Sequence, residues 1–177
     1  MQDILLVVDM QKDFVDGSLG TPEARAIVDR MVEKVKAFEG PILFTQDTHG
    51  PDYLETQEGR LLPVEHCIKG TPGWEIIPQL TALGSWPVLE KDTFGSKDLV
   101  KVLLAMHEEE SIRSITLAGL CTDICVISNA LLIKAYLPEV EIRVDPSCSA
   151  GVTPQSHETA LEAMRACQIT ILGDDQP

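Results

Sequence analysis

At 177 residues, with 44% hydrophobic and 24% charged side chains, the chain can bury one sizeable core and lies far from disordered or fibrous compositions. Its 28 acidic residues against 14 basic ones give a formal net charge of -14, which repels phosphate backbones and anionic bilayers, so neither nucleic acid nor membrane is an expected partner. No basic segment followed by an apolar run opens the sequence and no stretch approaches the ~20 apolar residues of a membrane span, so a cytoplasmic location is expected.

In chain order, Ile4 to Val8 is a short apolar run ending in Asp9, read as a strand buried on both faces with a carboxylate at its carboxyl end. Thr21-Pro22 has the form of a helix cap, and Ala26, Ile27, Met31, Val32, Val35 and Phe38 recur at helical spacing until Gly40-Pro41. Ile42 to Thr45 is the second strand. About forty residues rich in Gly, Pro, His and acids follow, with one short helix near Glu75 to Leu80; a loop of that length usually carries function or is disordered. Trp86 to Leu89, Ser114 to Ala118, Glu141 to Val144 and Gln168 to Leu172 are the remaining strands. Helices at Lys97 to Met106, from the Gly119–Asp123 turn to about Tyr136, and at Pro154 to Ala166 separate them. This alternation predicts a single α/β domain over residues 1–177, three-layered and Rossmann-like, with a six-stranded, mostly parallel sheet and helices on both faces. In such sheets ligands sit beyond the carboxyl ends of the strands.

Three chemically capable residues fall at such ends. Asp9 needs a partner or a cleft, because an unpaired carboxylate beside that apolar run is costly; a structural salt bridge is the plainer reading. Lys91 lies just past a strand and alone reads as a solvated lysine. Cys125 lies where a strand meets a glycine turn and a helix begins, a setting that favours thiolate; alone it reads as core filler. The five cysteines form no CxxC pair and are expected as reduced thiols. Of the four histidines, His107 and His157 fall in helices as surface residues, so an aspartate base with a lysine partner is preferred to a Cys/His pair.

A second group lies in the long loop. Asp47 and His49 are two apart and His66 is seventeen residues further on; carboxylate with imidazole suits zinc, manganese or ferrous iron. Glu58 is the preferred fourth ligand by position, with Asp52, Glu55 and Glu65 as rivals. The alternative is an Asp-x-His that merely caps a polar loop.

Taken together, these segments resemble the isochorismatase-like cysteine hydrolases, especially their nicotinamidase branch. The resemblance rests on Val-Val-Asp-Met-Gln-Lys-Asp-Phe at 7–14, Thr-Gln-Asp-Thr-His at 45–49, His-Cys-Ile-Lys-Gly-Thr-Pro-Gly at 66–73, Lys-Asp-Thr-Phe at 91–94 and Gly-Leu-Cys-Thr-Asp-Ile-Cys-Val at 119–126. It implies a six-stranded parallel sheet, Asp9 as base, Lys91 as its partner and Cys125 as nucleophile. It further implies a metal on Asp47, His49, Glu58 and His66, expected to be zinc with iron or manganese as alternatives, and a cis peptide at Leu120-Cys121. The chain departs from the nicotinamidase pattern where Pro63-Val64-Glu65, not an aromatic residue, precedes His66.

On that resemblance, Asp9 takes the Cys125 proton, Lys91 stabilises a thiolate at neutral pH, and the sulfur attacks a small-molecule amide. The backbone amides of Cys121 and Cys125 hold the oxyanion. Phe14 and Trp74 are candidate walls for a planar substrate. An N-carbamoyl or ureide substrate is the nearest alternative; a flavodoxin-like phospho-acceptor module, which needs neither Cys125 nor His66, is the non-enzyme one. Self-association is expected because such proteins are frequently dimers or tetramers.

Overall fold

The computed structural model describes residues 1–173; residues 174–177 of the expected domain lie outside them. Six strands, β1 (Gln2–Val8), β2 (Ile42–Asp47), β3 (Val88–Lys91), β4 (Ile112–Leu120), β5 (Glu141–Ala150) and β6 (Thr170–Ile171), form one sheet in the order β3-β2-β1-β4-β5-β6. Every pairing is parallel. The order reverses at β1, the switch point beside which such sheets open a crevice.

The helices are α1 (Lys12–Val15), α2 (Pro22–Ala26), α3 (Val28–Ala37), α4 (Gln57–Leu61), α5 (Pro78–Thr81), α6 (Lys97–Glu109), α7 (Ile127–Tyr136) and α8 (Pro154–Ala166). Strand periodicity divides the core between two faces. Ile4, Leu6 and Val8 of β1 pack with Leu99 and Leu103 of α6, Ile133 of α7 and Met164 of α8. Leu5 and Val7 face the other way, onto Met31 and Val35 of α3 and Leu80 of α5. The expected three layers are therefore present.

Local differences from the sequence reading have identifiable causes. The helix expected from Thr21 to Phe38 breaks at Ile27 into α2 and α3. Ala24, Ile27, Val28, Met31 and Val35 all bury in one cluster across the break, so the apolar spacing carries no trace of it. The strand expected at Trp86–Leu89 runs instead from Val88 to Lys91, because Pro87 lacks an N–H and serves only by accepting from Phe44 N. Lys91 is thus the strand's last residue, paired with Asp47, and not a residue beyond it. Strand β5 continues past Val144 to Ala150 through a shift in register, with the Asp145 carboxylate accepting from Ser147 N and Oγ in the bend. The short helix expected near Glu75–Leu80 begins only at Pro78, after a 3₁₀ turn at Pro72–Trp74.

Two helices went unforeseen because each is about one turn long: α1, and α4, whose cap Thr56 accepts from Gly59 N at 3.0 Å. At the switch point Gly119 adopts φ +133°, and a Cβ there would stand 2.1 Å from the Val8 carbonyl oxygen. Only glycine lets β4 approach the end of β1 this closely.

Candidate active site and metal centre

Asp9 directly follows β1, Asp47 ends β2, Lys91 ends β3, and Cys125 lies in a π-helical turn (Thr122–Val126) directly after β4. Four neighbouring strands thus deliver four polar side chains to one edge of the sheet. Lys91 stands at their centre, with Nζ 2.7 Å from Asp9 Oδ2, 3.1 Å from Asp47 Oδ1 and 3.4 Å from Cys125 Sγ. Asp9 is fully buried; Lys91 and Cys125 are each 5% exposed. Two carboxylates around one ammonium satisfy the requirement that a buried charge be paired.

The two oxygens of Asp9 differ. Oδ1 accepts from Thr45 Oγ1 at 2.6 Å, whereas Oδ2 contacts Lys91 as an ion pair but has no hydrogen-bond donor aligned on it. Burial raises the Asp9 pKa, Lys91 opposes the rise, and the nearby Asp47 charge adds to it. Burial first, and the Asp9 charge second, likewise hold the proton on Cys125 well above its ordinary range, with Lys91 working the other way. The helix start and the lysine, which favour a thiolate, are thus opposed at Cys125 by desolvation and the adjacent carboxylate. Lys91 itself is raised, its desolvation outweighed by Asp9, Cys125 and Asp47, and remains charged.

The bonds that close the Cys125 turn run from Ile124 N and Val126 N to the Cys121 carbonyl, and the Leu120-Cys121 peptide is cis. Asn129 on α7 donates to the Cys125 and Phe94 carbonyls and accepts from Ser96 N, tying the segment after β3 to the turn. His157 and His107 are not free surface residues. The first contacts Thr122 Oγ1 through Nδ1 at 2.8 Å, the second accepts from Ile112 N, and both are half-buried because their helices pack on the sheet.

Asp47 also faces the long loop. Its Oδ2 is 3.0 Å from His49 Nε2 and 3.7 Å from His66 Nε2, and one ligand atom from each of Asp47, His49 and His66 lies within 4.8 Å of the others. Glu58 on α4 reaches the same group, with Oε1 3.7 Å from each imidazole Nε2; Asp52, Glu55 and Glu65 are exposed. His66 Nδ1 lies 2.8 Å from the Val64 carbonyl, which can only accept, so Nδ1 donates there and Nε2 faces the cluster. Two imidazoles and two carboxylates, buried or half-buried, fit a borderline divalent transition metal. Burial lowers the His49 pKa, but the Asp47 bond outweighs it and the net shift is upward.

Sequence reasoning missed the supports of this cluster. Tyr53, fully buried, packs its ring against both imidazoles at centroid distances of 4.7 and 4.9 Å and donates to the Leu62 carbonyl. Gln11 accepts from Asp47 N and donates to the Asp47 carbonyl. A glutamine two positions after Asp9 was the available signal, since an amide can bridge N–H and C=O of a neighbouring strand end.

A cavity of 560 Å³ opens above Cys125, with Phe14 and Cys121 in its wall. Trp74, the other expected wall, is not among its lining residues. Its indole N–H donates to Thr48 Oγ1 and its ring packs beside Lys69, so the aromatic face is used against the protein; Phe94 lines the cavity instead.

With this geometry in place, a family model described as the isochorismatase domain matches residues 3–176. The nicotinamidase/pyrazinamidase of Mycobacterium tuberculosis is 27% identical, the match spanning 95% of this chain and 97% of that protein. The crystal structure of a Bacillus subtilis nicotinamidase/pyrazinamidase superposes with a TM-score of 0.82 at 30% identity, covering 97% of this chain and 99% of its own. A pyrazinamidase of Pyrococcus horikoshii, solved in complex with zinc, gives a TM-score of 0.81 at 26% identity over 97% and 99% of the two chains.

Proposed function

The chain belongs to the isochorismatase family, and from that premise we propose that it is a nicotinamidase-like amidohydrolase working through a thioester on Cys125. The observation that carries the reading is the contact chain Asp9–Lys91–Cys125 at the floor of a cavity, with Asp9 Oδ2 lacking an aligned donor. The open oxygen accepts the thiol proton as sulfur attacks the amide carbon. Lys91 keeps the total charge of the pair compensated whichever of the two groups holds the proton. Backbone N–H groups of Cys121 and Cys125 receive the developing oxyanion, each such donor being worth about 10² to 10³ in rate. The C–N bond then breaks and ammonia leaves with the proton held by Asp9. A water, deprotonated by the same carboxylate, attacks the thioester, releasing the acid and returning the proton to sulfur.

Asp47, His49, Glu58 and His66 are the residues we assign to a metal, with zinc the preferred ion and iron or manganese compatible with the same donors. When bound, such an ion supplies Lewis-acid polarisation beside the cleft. On this reading residues 1–177 act as one cytoplasmic domain on a small neutral molecule and self-associate. Among the described residues, no helix is long and apolar enough to cross a membrane.

Ammonia release from nicotinamide is the direct test. Cys125→Ala is expected to reduce it by on the order of 10⁴-fold or more, as removal of a catalytic triad member does. Intact-mass measurement should find an acylated wild-type protein on rapid quenching and none in the variant. Normal turnover by Cys125→Ala would remove the nucleophile from the mechanism.

A further inference from the structure

The side chains around Cys125 come from two stretches that the sheet does not join directly. Asp92, Thr93 and Phe94, on the segment after β3, form one part of the cavity wall; Cys121, Ile124 and Cys125, after β4, form another. In the sheet, β2 and β1 lie between those strands, so the hydrogen-bond ladder relates Lys91 to Cys125 only through two intervening strands. The 3.4 Å approach of Lys91 Nζ to Cys125 Sγ calls for a closer tolerance, since misplacing a reacting group by about 1 Å costs on the order of 10²-fold in rate.

Asn129 supplies a direct connection. It stands four residues after Cys125, about one helical turn on, and its amide reaches back to donate to the Cys125 carbonyl at 2.8 Å. The same Nδ2 donates to the Phe94 carbonyl at 3.0 Å, and Oδ1 accepts from Ser96 N at 2.9 Å. Both donors and the acceptor are thus engaged in a fully buried side chain. A primary amide is the group that fits: a carboxylate offers no donor, a hydroxyl offers one, and an aliphatic side chain answers none of the three backbone groups. Gly95 shows how closely the two stretches meet, because a Cβ there would stand 3.3 Å from the Ser128 carbonyl oxygen. Anchoring of α6 does not account for Asn129, since Ser96 caps that helix with its own hydroxyl, which accepts from Leu99 N.

We propose, resting on the amidase reading above, that Asn129 is a positioning residue of the reaction. By tying the Cys125 carbonyl to Phe94 and Ser96 it holds the sulfur against Lys91, and so governs the rate of attack and not the affinity for substrate.

The test compares Asn129→Asp, Asn129→Ala, Ser96→Ala and Gly95→Ala with wild type. Three quantities are read: ammonia release from nicotinamide, the rate at which iodoacetamide alkylates Cys125, localised by fragment mass, and thermal unfolding. Asn129→Asp keeps the shape and loses both donors, while Asn129→Ala leaves space for water to meet the backbone groups. In either, kcat is expected to fall on the order of 10²-fold at little changed KM, with alkylation slowed several-fold. Ser96→Ala removes the α6 cap but keeps Ser96 N for Asn129, so it should lower the melting temperature and leave kcat at the wild-type value. Gly95→Ala presses a methyl on the Ser128 carbonyl and should lower kcat several-fold, with no further effect when added to Asn129→Ala.

An unchanged kcat in a folded Asn129 variant, a loss carried by KM alone, or a kcat that falls with stability in Ser96→Ala would overturn the inference and leave the amidase reading standing. Should neither Asn129 variant fold, Gly95→Ala decides, and a wild-type kcat there overturns the inference. Absence of ammonia release from the wild type would instead overturn the amidase reading, with the alkylation rates still deciding whether Asn129 places the sulfur.

Discussion

The Asp9–Lys91–Cys125 group and the Asp47–His49–His66 group share a wall, and Asp47 belongs to both, yet they are held in different ways. The first hangs from strand ends and a turn fixed by the sheet's hydrogen-bond ladder, so its geometry follows from the fold itself. The second is carried mainly by the loop between β2 and β3, where Thr56, Tyr53 and the Val64 carbonyl set the ligands one contact at a time. Removing a group from the first should therefore damage stability together with chemistry. Removing the metal from the second should cost chiefly what a bound ligand contributes.

The sharpest way to break that contrast is Lys91→Met. It leaves Asp9 and Asp47 buried without their cation, for which about 3–5 kcal/mol of destabilisation and loss of turnover are expected. A urea midpoint close to wild type would show that the network does not hold the strand ends together. Chelation comes next: stripping an ion present at a hundredfold over its Kd should lower stability by about 2.7 kcal/mol. His49→Asn should make the melting temperature insensitive to chelator, and elemental analysis should find its metal content lost.

Thr45→Val removes the hydroxyl that donates to Asp9 Oδ1. A loss of about 1.5 kcal/mol and a reduced kcat at little changed KM are expected, read by chemical denaturation and steady-state kinetics. The smallest effect calibrates the others from a polar pair remote from the site, Lys34 with Asp145. Burial raises the Asp145 pKa, but bonds from Lys34 and Ser147 outweigh it and hold the carboxyl below its ordinary 3.8. A depressed carboxyl stabilises the fold above its unfolded pKa and loses that contribution as pH falls. The stability advantage of wild type over Asp145→Asn, below about 1 kcal/mol, should therefore be present at neutral pH and vanish below about pH 3.8.

The same contrast separates what the sequence made legible from what it hid. Asp9, Lys91 and Cys125 could be placed in one crevice because apolar runs announce strands and parallel strands align their carboxyl ends. The loop helix α4 is one turn long in a polar stretch, so Glu58, the proposed fourth ligand, was separable from its rivals only by spacing. Tyr53 gave no signal of its own, since what it does depends on neighbours distant in the chain. Trp74 was misjudged for a related reason: an aromatic ring in a functional loop is equally suited to bracing it. At Cys125 a helix start that favours thiolate is visible in sequence, while the degree of burial that opposes it is not.

Asn129 joins the chain at Phe94 and Ser96 to the carbonyl of Cys125 itself. Entrance and warhead are therefore parts of one lever. A substitution at Phe94 that shifts its backbone is expected to reach Cys125 through Asn129, coupling the range of molecules admitted to the efficiency with which they are cut. Descendants of this chain that acquire a new diet are expected to change on both sides of that amide.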